Sequence, residues 1–478
     1  MRDYLKFYIN GEWKTPDNAS TLEVINPADE SVAGRISMGT SDHVDQAANA
    51  ASQAFNSYYQ YSRQQRVELL QEICTQYKAR MNDMTDAIIE EMGAPRWLAS
   101  SSQALSGYGH FKTNIEILND YAFNRQQGDA MIIKEPIGVC GLITPWNWPI
   151  NQISCKLAPA LATGCTVVWK PSEIAPFSAQ VLMEILDSAG VPDGVVNMLH
   201  GYGPEVGAAI SAHPLIQMVS FTGSTRAGVA VAKDAADTVK RVTQELGGKS
   251  PNIILDDLDE TTFAKAVAGG MKSMTVNSGQ NCNAPSRMLV PAERLQEAVA
   301  AAKAAAESIQ VGHPNSEDRV MGPVISAVQW DKIQDLIQAG IDEGATLVAG
   351  GTGKPDGLDQ GYYVKPTVFA NVHSDMRIAR EEIFGPVLSI MSYTDDAEAI
   401  RLANDTPYGL SGYVSGADTE RLREVVSRLR AGMIHVNGAP MDRTAPFGGY
   451  KQSGNGREKG LEGFDEFLET KSVLGIKS

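Results

Sequence analysis

Between residues 137 and 222 the sequence repeats one pattern: a short apolar run, a loop, then a longer segment with helical spacing. The runs at 138–143, 166–169, 195–199 and 218–221 lack polar alternation, as strands covered on both faces require. Segments 150–162, 178–189 and 204–211 carry helical spacing between them. Few folds accommodate that order. It predicts a doubly wound α/β domain, with ligands beyond the carboxyl ends of its strands.

The rest of the chain is arranged around this unit. Short alternating stretches at 6–9 and 22–25, with Asn10-Gly11 as a turn, predict a small β-rich entry. Helical spacing starts after Ser41, the expected N-cap. It continues at 63–92, with Gly93 and Pro95 as stop signals, and again at 100–121. A polar turn at 124–129 leads into an exposed hairpin arm. Beyond Glu245 a second α/β region is expected, with helices at 263–274, 294–308 and 327–343 and strands at 288–290 and 387–392. Residues 471–477 alternate in strand fashion and are expected to pair with another chain.

At 478 residues there is room for two or three domains. The net charge of −16 argues against a nucleic-acid partner and gives no support to an anionic membrane. No stretch approaches the ~18 uninterrupted apolar residues of a membrane span, and no signal-peptide run opens the chain, so a cytoplasmic protein is expected. Five cysteines without a CxxC pair give no disulfide framework or zinc site. The seven histidines show no ligand spacing, so no metal is expected.

Cys74, Cys140, Cys155 and Cys165 sit among apolar or small neighbours and read as core packing. Cys282 does not. It lies in NSGQNCNAPSR at 277–287, where Ser278, Gln280, Asn281 and Asn283 offer hydrogen bonds, Gly279 permits a tight turn and Pro285 discourages a regular element. A thiol held at such a turn is a candidate nucleophile.

Loops after the predicted strands suit a dinucleotide. Thr144 leads into PWNWP, where Asn147 offers an amide N–H to a developing oxyanion, or is simply a satisfied loop amide. Lys170 and Glu173, three residues apart in KPSE, would grip the two hydroxyls of a ribose, or form a surface ion pair. After Phe221 comes a glycine-rich turn opening a helix, so that backbone N–H groups and the helix dipole face a phosphate. Glu245, beside two glycines between the halves, stands where a general base in an interdomain cleft would be, although a boundary carboxylate is the plainer reading.

Seven motifs in order, PWNWP, KPSE, FTGST, ELGGKSPN, GQNCNAPSR, EEIFGPV and PFGGYKQSG, resemble those of the NAD(P)-dependent aldehyde dehydrogenases of the hydrolytic type, from about Phe7 onward. The resemblance implies Cys282 as nucleophile and Glu245 as the base that activates water. Asn147, with the Cys282 backbone N–H, is then the oxyanion site. Lys170 and Glu173 go to the adenosine ribose, with Ser172 between them also cofactor-binding, Gly223 and Ser224 to the pyrophosphate, and Glu382 and Phe384 to the nicotinamide end. Thr144, Trp146, Gly203 and Leu246 line the same channel, and Lys156 and Glu458 match proton-relay positions. Trp148, Asn151, Asn281, Asn283 and Phe447, with Cys155, belong to the presumed aldehyde tunnel, whose mixed character suits a small or moderately polar aldehyde.

The implied fold is α/β: a Rossmann-type dinucleotide domain (1–120 and 138–248), a catalytic α/β domain (249–455) and a small β oligomerisation arm (121–137 and 463–478), assembling as a homodimer or homotetramer. NAD is the implied cofactor, with weaker use of NADP, because Glu173 would meet a 2′-phosphate as a like charge. The chemistry explains the residue types. Direct hydride loss from an aldehyde gives an acylium ion, whereas a thiolate adduct expels hydride readily and leaves a thioester for water. A CoA-acylating enzyme is the alternative, against which the retained Glu245 counts.

Overall fold

The computed structural model describes residues 1–17 and 19–475. The first sheet has eight strands. Five parallel strands form its centre in the spatial order Arg241–Glu245, Met218–Thr222, Val139–Ile143, Thr166–Lys170 and Val196–Met198. The winding reverses between Val139–Ile143 and Met218–Thr222, so the loops after those strands diverge and leave a crevice. All four predicted runs are strands of this sheet, every residue of each strand is buried, and helices Pro149–Thr163 and Phe177–Ser188 cover them. Phe111 and Phe177 are fully buried in the core beneath, each worth roughly 1.5–3 kcal/mol of hydrophobic burial.

The second sheet has seven strands, with Thr346–Ala349 antiparallel at one edge and Met433–Val436 at the other. Arg287, at the start of its strand Arg287–Pro291, is buried. It donates to the carbonyls of Lys249 (3.0 Å), Leu402 (2.9 Å) and Ala403 (2.8 Å), which ties the end of a helix to this sheet. Burial pushes its guanidinium down to about 10. The two halves interlock, because Gly454–Asn455 returns to pair antiparallel with Arg241–Glu245 in the first sheet. The hairpin Asn124–Gln127 and Ala130–Pro136 forms a separate sheet with Leu468–Leu474. Residues 476 and 477 of the predicted terminal strand lie outside the described residues.

Several local expectations shift. The N-cap of the first long helix is Thr40, at φ −122°, whose N–H donates to Nδ1 of His43 at 3.1 Å; Ser41 is the first helical residue. The run at 63–92 is two helices, Arg63–Ala79 and Met81–Met92, parted at Arg80, where φ falls to −106°. Segments 99–104 and 203–207 are π-helical turns that precede the α-helices Leu105–Asp120 and Ala208–Ala212, a widening that apolar spacing does not report.

Candidate active site

Cys282 follows a backbone that only a few side chains tolerate. Asn277 (φ 55°), Ser278 (φ 56°) and Gly279 (φ 75°) form a left-handed run, and a Cβ on Gly279 would come within 2.2 Å of the Gly385 backbone. Buried hydrogen bonds hold the loop in that shape. Asn277 donates to the Asn147 carbonyl (2.9 Å), Ser278 to the Gly322 carbonyl (2.7 Å), and Gln280 accepts from the Ile325 N–H (2.9 Å). Asn147 is buried and donates one amide N–H to the Gln280 carbonyl at 3.0 Å, two residues before the thiol. The Cys282 residue is partly exposed, yet its thiol is packed closely enough that burial, and then the charges of Glu382 and Glu245, push it up to about 12.

Glu245 is the last residue of its strand, facing Gly454 on one side and Thr222 on the other. It is buried, and among the described residues neither carboxylate oxygen has a hydrogen-bond partner. Burial raises it well above the usual carboxylate range, while Lys156, Arg457 and Lys459 pull it back. Gly448 faces it so closely that a Cβ there would lie 2.6 Å from Oε1. A buried carboxylate without a protein partner, close enough to a thiol to raise it, has the form of a base awaiting a proton donor.

The strand-end loops converge on the same crevice. Gly223 donates its N–H to the Glu245 carbonyl at 3.0 Å, and Ser224 caps the helix Thr225–Ala235. Lys170 is buried and its Nζ lies 2.9 Å from Oε2 of Glu173. Thr144 donates to the Lys170 carbonyl (3.1 Å), and Ser172 accepts from Ile174. Leu246 packs against Gly228 on the helix that Ser224 caps. Trp146 and Phe384 meet edge to face at 5.3 Å, and Glu382 accepts from the Gly248 N–H at 2.9 Å.

The sequence matches the aldehyde dehydrogenase family over residues 13–473. It is 56% identical, over the whole of both chains, to the 3-succinoylsemialdehyde-pyridine dehydrogenase of a Pseudomonas species. The chain belongs to the aldehyde dehydrogenase family. Its fold is that of the aldehyde dehydrogenase from Bartonella henselae, with a TM-score of 0.97 at 47% identity, covering 99% of this chain and 100% of that one. It is equally similar to a cysteine-to-alanine variant of aldehyde dehydrogenase C from Pseudomonas syringae, complexed with NAD+ and octanal. There the TM-score is 0.97 at 49% identity, covering 98% of this chain and 96% of that one.

The dehydrogenase crevice fits a dinucleotide on features of its own. An added Cβ on Gly203 would meet nothing, which leaves open space at that turn. The imidazole of His200, buried after the strand Val196–Met198, has neither nitrogen partnered among the described residues. Behind the crevice Lys156 and Glu458 form a buried ion pair. Thr222 accepts from Lys156 at 2.7 Å and Cys155 donates to Glu458 at 3.1 Å, so Cys155, expected to be inert packing, belongs to this polar cluster.

The predicted tunnel residues are placed unevenly. Trp148 donates to Oδ1 of Asn281, and Asn151 bonds Nε2 of His110 at 2.9 Å. Phe447 pairs with Glu458 through backbone hydrogen bonds of 2.7 Å in both directions. Asn283 accepts from the Tyr413 hydroxyl at 2.9 Å through its backbone and lines a groove of about 1120 Å³ beside the strand Met433–Val436. Sequence reasoning missed Asn277 and Ser453; the latter accepts from Gly409 (2.9 Å) and donates to Gly247 (2.6 Å). It also missed His110, which bonds Asn151 and carries no motif. Among the described residues no group of acidic, histidine or cysteine side chains could hold a metal, and no helix is long and apolar enough to cross a membrane.

Proposed function

We propose that this aldehyde dehydrogenase oxidises its substrate to the carboxylic acid through a covalent adduct on Cys282, released by water that Glu245 deprotonates. The observation that carries this reading is the buried carboxylate of Glu245, without a hydrogen-bond partner among the described residues and raised in pKa, whose charge the Cys282 thiol feels. Cys282 gives up its proton to solvent and adds as the thiolate to the aldehyde carbon, and the new alkoxide receives the free amide N–H of Asn147 and the Cys282 backbone N–H. NAD, when bound, supplies the acceptor for the hydride that this adduct loses as a thioester forms on Cys282. Glu245 then takes a proton from water as the water attacks the thioester. The buried Lys156 and Glu458 offer that proton a way out of the buried cluster.

NAD would be held by Lys170, Ser172 and Glu173 at the adenosine end and by Gly223 and Ser224 at the helix N-terminus, with Glu382, Phe384 and Trp146 at the nicotinamide end. The NAD+ complex of the Pseudomonas syringae relative supports this cofactor. Octanal in that relative, and the succinoylsemialdehyde-pyridine in the other relative's name, support aldehydes of several carbons rather than the smallest ones. Five free cysteines support a reducing, cytoplasmic location. The open edges at Leu468–Leu474 and Met433–Val436 support pairing between copies into a dimer or a dimer of dimers.

The test is NADH formation on mixing the purified protein with NAD and a panel of aldehydes, with and without CoA. Free acid should form at a rate that CoA does not change, and an acyl-CoA product would overturn hydrolysis. Light scattering should show an assembly larger than the 51.4 kDa chain.

A further inference from the structure

Gln103 lies in the π-helical turn Ala99–Ala104, and its buried side chain meets the loop that carries Cys282. Its Nε2 donates to Oδ1 of Asn277 at 3.1 Å and reaches Sδ of Met92 at 3.5 Å. Asn277 in turn donates through Nδ2 to two backbone carbonyls, those of Asn147 (2.9 Å) and Gln280 (3.4 Å). The same Gln280 carbonyl accepts from the Asn147 amide at 3.0 Å, so the Asn277 side chain clamps both the backbone of Asn147 and the group its side chain holds. Other side chains fix the turn itself. Ser106 donates to the Gln103 carbonyl (2.7 Å) and the Tyr77 hydroxyl donates to that of Ala104 (2.7 Å).

The direction of these bonds follows from what each group can do. A backbone carbonyl only accepts, so the NH2 of Asn277 has to face Asn147 and Gln280 and its Oδ1 has to face away. Whatever meets that oxygen must donate. Gln103 therefore turns its own NH2 toward Asn277, and its Oε1 is left buried without a partner among the described residues. An orphaned buried acceptor is costly, yet the opposite orientation of Gln103 would set oxygen against oxygen. A flipped Asn277 would do the same at the Asn147 and Gln280 carbonyls. The orphan thus goes with holding Asn277 in one of its two amide orientations.

We propose that Gln103 is a positioning residue for aldehyde attack. By donating to Asn277 it locks the amide that registers the Asn147 loop against the Cys282 loop, and so aims the remaining amide N–H of Asn147 at the alkoxide that forms on attack. The inference rests on the reading of Cys282 as nucleophile and Asn147 as oxyanion donor. Oxyanion donors accelerate a reaction only when they are held in place beforehand, and displacing one by about an ångström slows it. Gln103 acts through Asn277, since among the described residues it makes no hydrogen bond to Asn147 or Cys282.

The experiment follows the NADH burst of the full chain by rapid mixing with NAD and an aldehyde that the wild type oxidises. Gln103→Met is close in shape and cannot donate. It removes one orphaned acceptor, Oε1, and creates another, Oδ1 of Asn277, so chemical denaturation should stay near that of the wild type. The burst rate constant should nevertheless fall by ~10–10²-fold, while NAD affinity, read by protein fluorescence, holds. Gln103→Glu carries its own control. As a buried acid it donates its O–H to Asn277 when neutral and only accepts when ionised. Its burst rate relative to the wild type should therefore be highest at low pH and fall as pH rises, a trend that a packing role would not produce. A Gln103→Met burst at the wild-type rate, or a Gln103→Glu ratio no higher at low pH than at high pH, would overturn the proposal. If Gln103→Met does not fold, the Gln103→Glu ratio alone decides. Absence of NADH from the wild type with every aldehyde would instead remove the aldehyde-oxidation reading, and this inference with it.

Discussion

The backbone N–H of Gly248 donates to Oε1 of Glu382 at 2.9 Å, and a Cβ on the same glycine would come within 2.2 Å of the Cys282 carbonyl oxygen. One residue therefore spaces the Glu382 carboxylate, proposed for the nicotinamide end, from Cys282, the proposed nucleophile. Its other neighbours leave no room either, since a Cβ on Gly247 would lie 2.6 Å from Oε2 of Glu382. Gly248→Ala should cost roughly 1–3 kcal/mol of stability, as overpacking does. It should lower kcat/KM by ~10²-fold, the penalty for shifting a reacting group by about an ångström. Steady-state kinetics beside chemical denaturation checks both, and unchanged kcat/KM would show that the spacing is not needed.

Cys282→Ala and Glu245→Gln should fail differently. Without the thiol no adduct forms, so neither a burst nor turnover of NADH is expected. With Glu245→Gln the thiol remains, so rapid mixing should give up to one equivalent of NADH per site and then turnover slowed by ~10²–10⁴-fold. An acyl adduct on Cys282 should then be visible by mass spectrometry. Wild-type steady-state turnover in Glu245→Gln would remove it as the deacylation base.

The resting thiol of Cys282, pushed up to about 12, should be a poor nucleophile near neutrality. Its alkylation by iodoacetamide without NAD should rise by about tenfold per pH unit through the alkaline range, because only the thiolate reacts. The other four cysteines are buried, so the label reports on this one. Glu382→Gln removes the negative charge that raises the thiol most, and should speed labelling at fixed pH. A rate that levels off near neutrality would contradict this.

Much of this was legible from sequence because periodicity and turn chemistry are local. Buried strands without alternation, Gly93 at a left-handed helix end (φ 68°), and the ordered loops of the crevice all announce themselves within a few residues. The π-helical turns and the break at Arg80 did not, since apolar spacing tolerates a widened turn. Lys156 and Glu458 were named together only through the resemblance, and the contact of Cys155 with Glu458, about 300 residues away along the chain, follows from no local rule.

Glu173 pairs with Lys170 at 2.9 Å while keeping part of its side chain exposed, at the place proposed for the adenosine ribose. A 2′-phosphate there would meet the carboxylate as a like charge, so NAD should be preferred over NADP. Glu173→Gln keeps the shape and removes the charge. The kcat/KM ratio of NAD to NADP should fall by roughly tenfold, with the paired Lys170 freed to face the phosphate. A wild-type ratio at or below unity would refute the assignment.

The buried pair of Lys156 and Glu458 offers a test in which stability and activity separate. Both side chains are almost fully enclosed, and burial alone lowers the Lys156 pKa. Removing one partner strands the other. Glu458→Leu leaves an ammonium with only the Thr222 hydroxyl, and should destabilise the protein by about 3–5 kcal/mol. Lys156→Met with Glu458→Leu replaces the pair by apolar groups, and should recover most of that loss, because a buried ion pair is seldom worth more than its desolvation. Activity should not recover with it. If these groups carry the proton that Glu245 takes from water, the restored double variant should still show a normal NADH burst followed by slow turnover. Full turnover in a stable double variant would make the pair a packing feature and leave Glu245 to exchange its proton with solvent by another route.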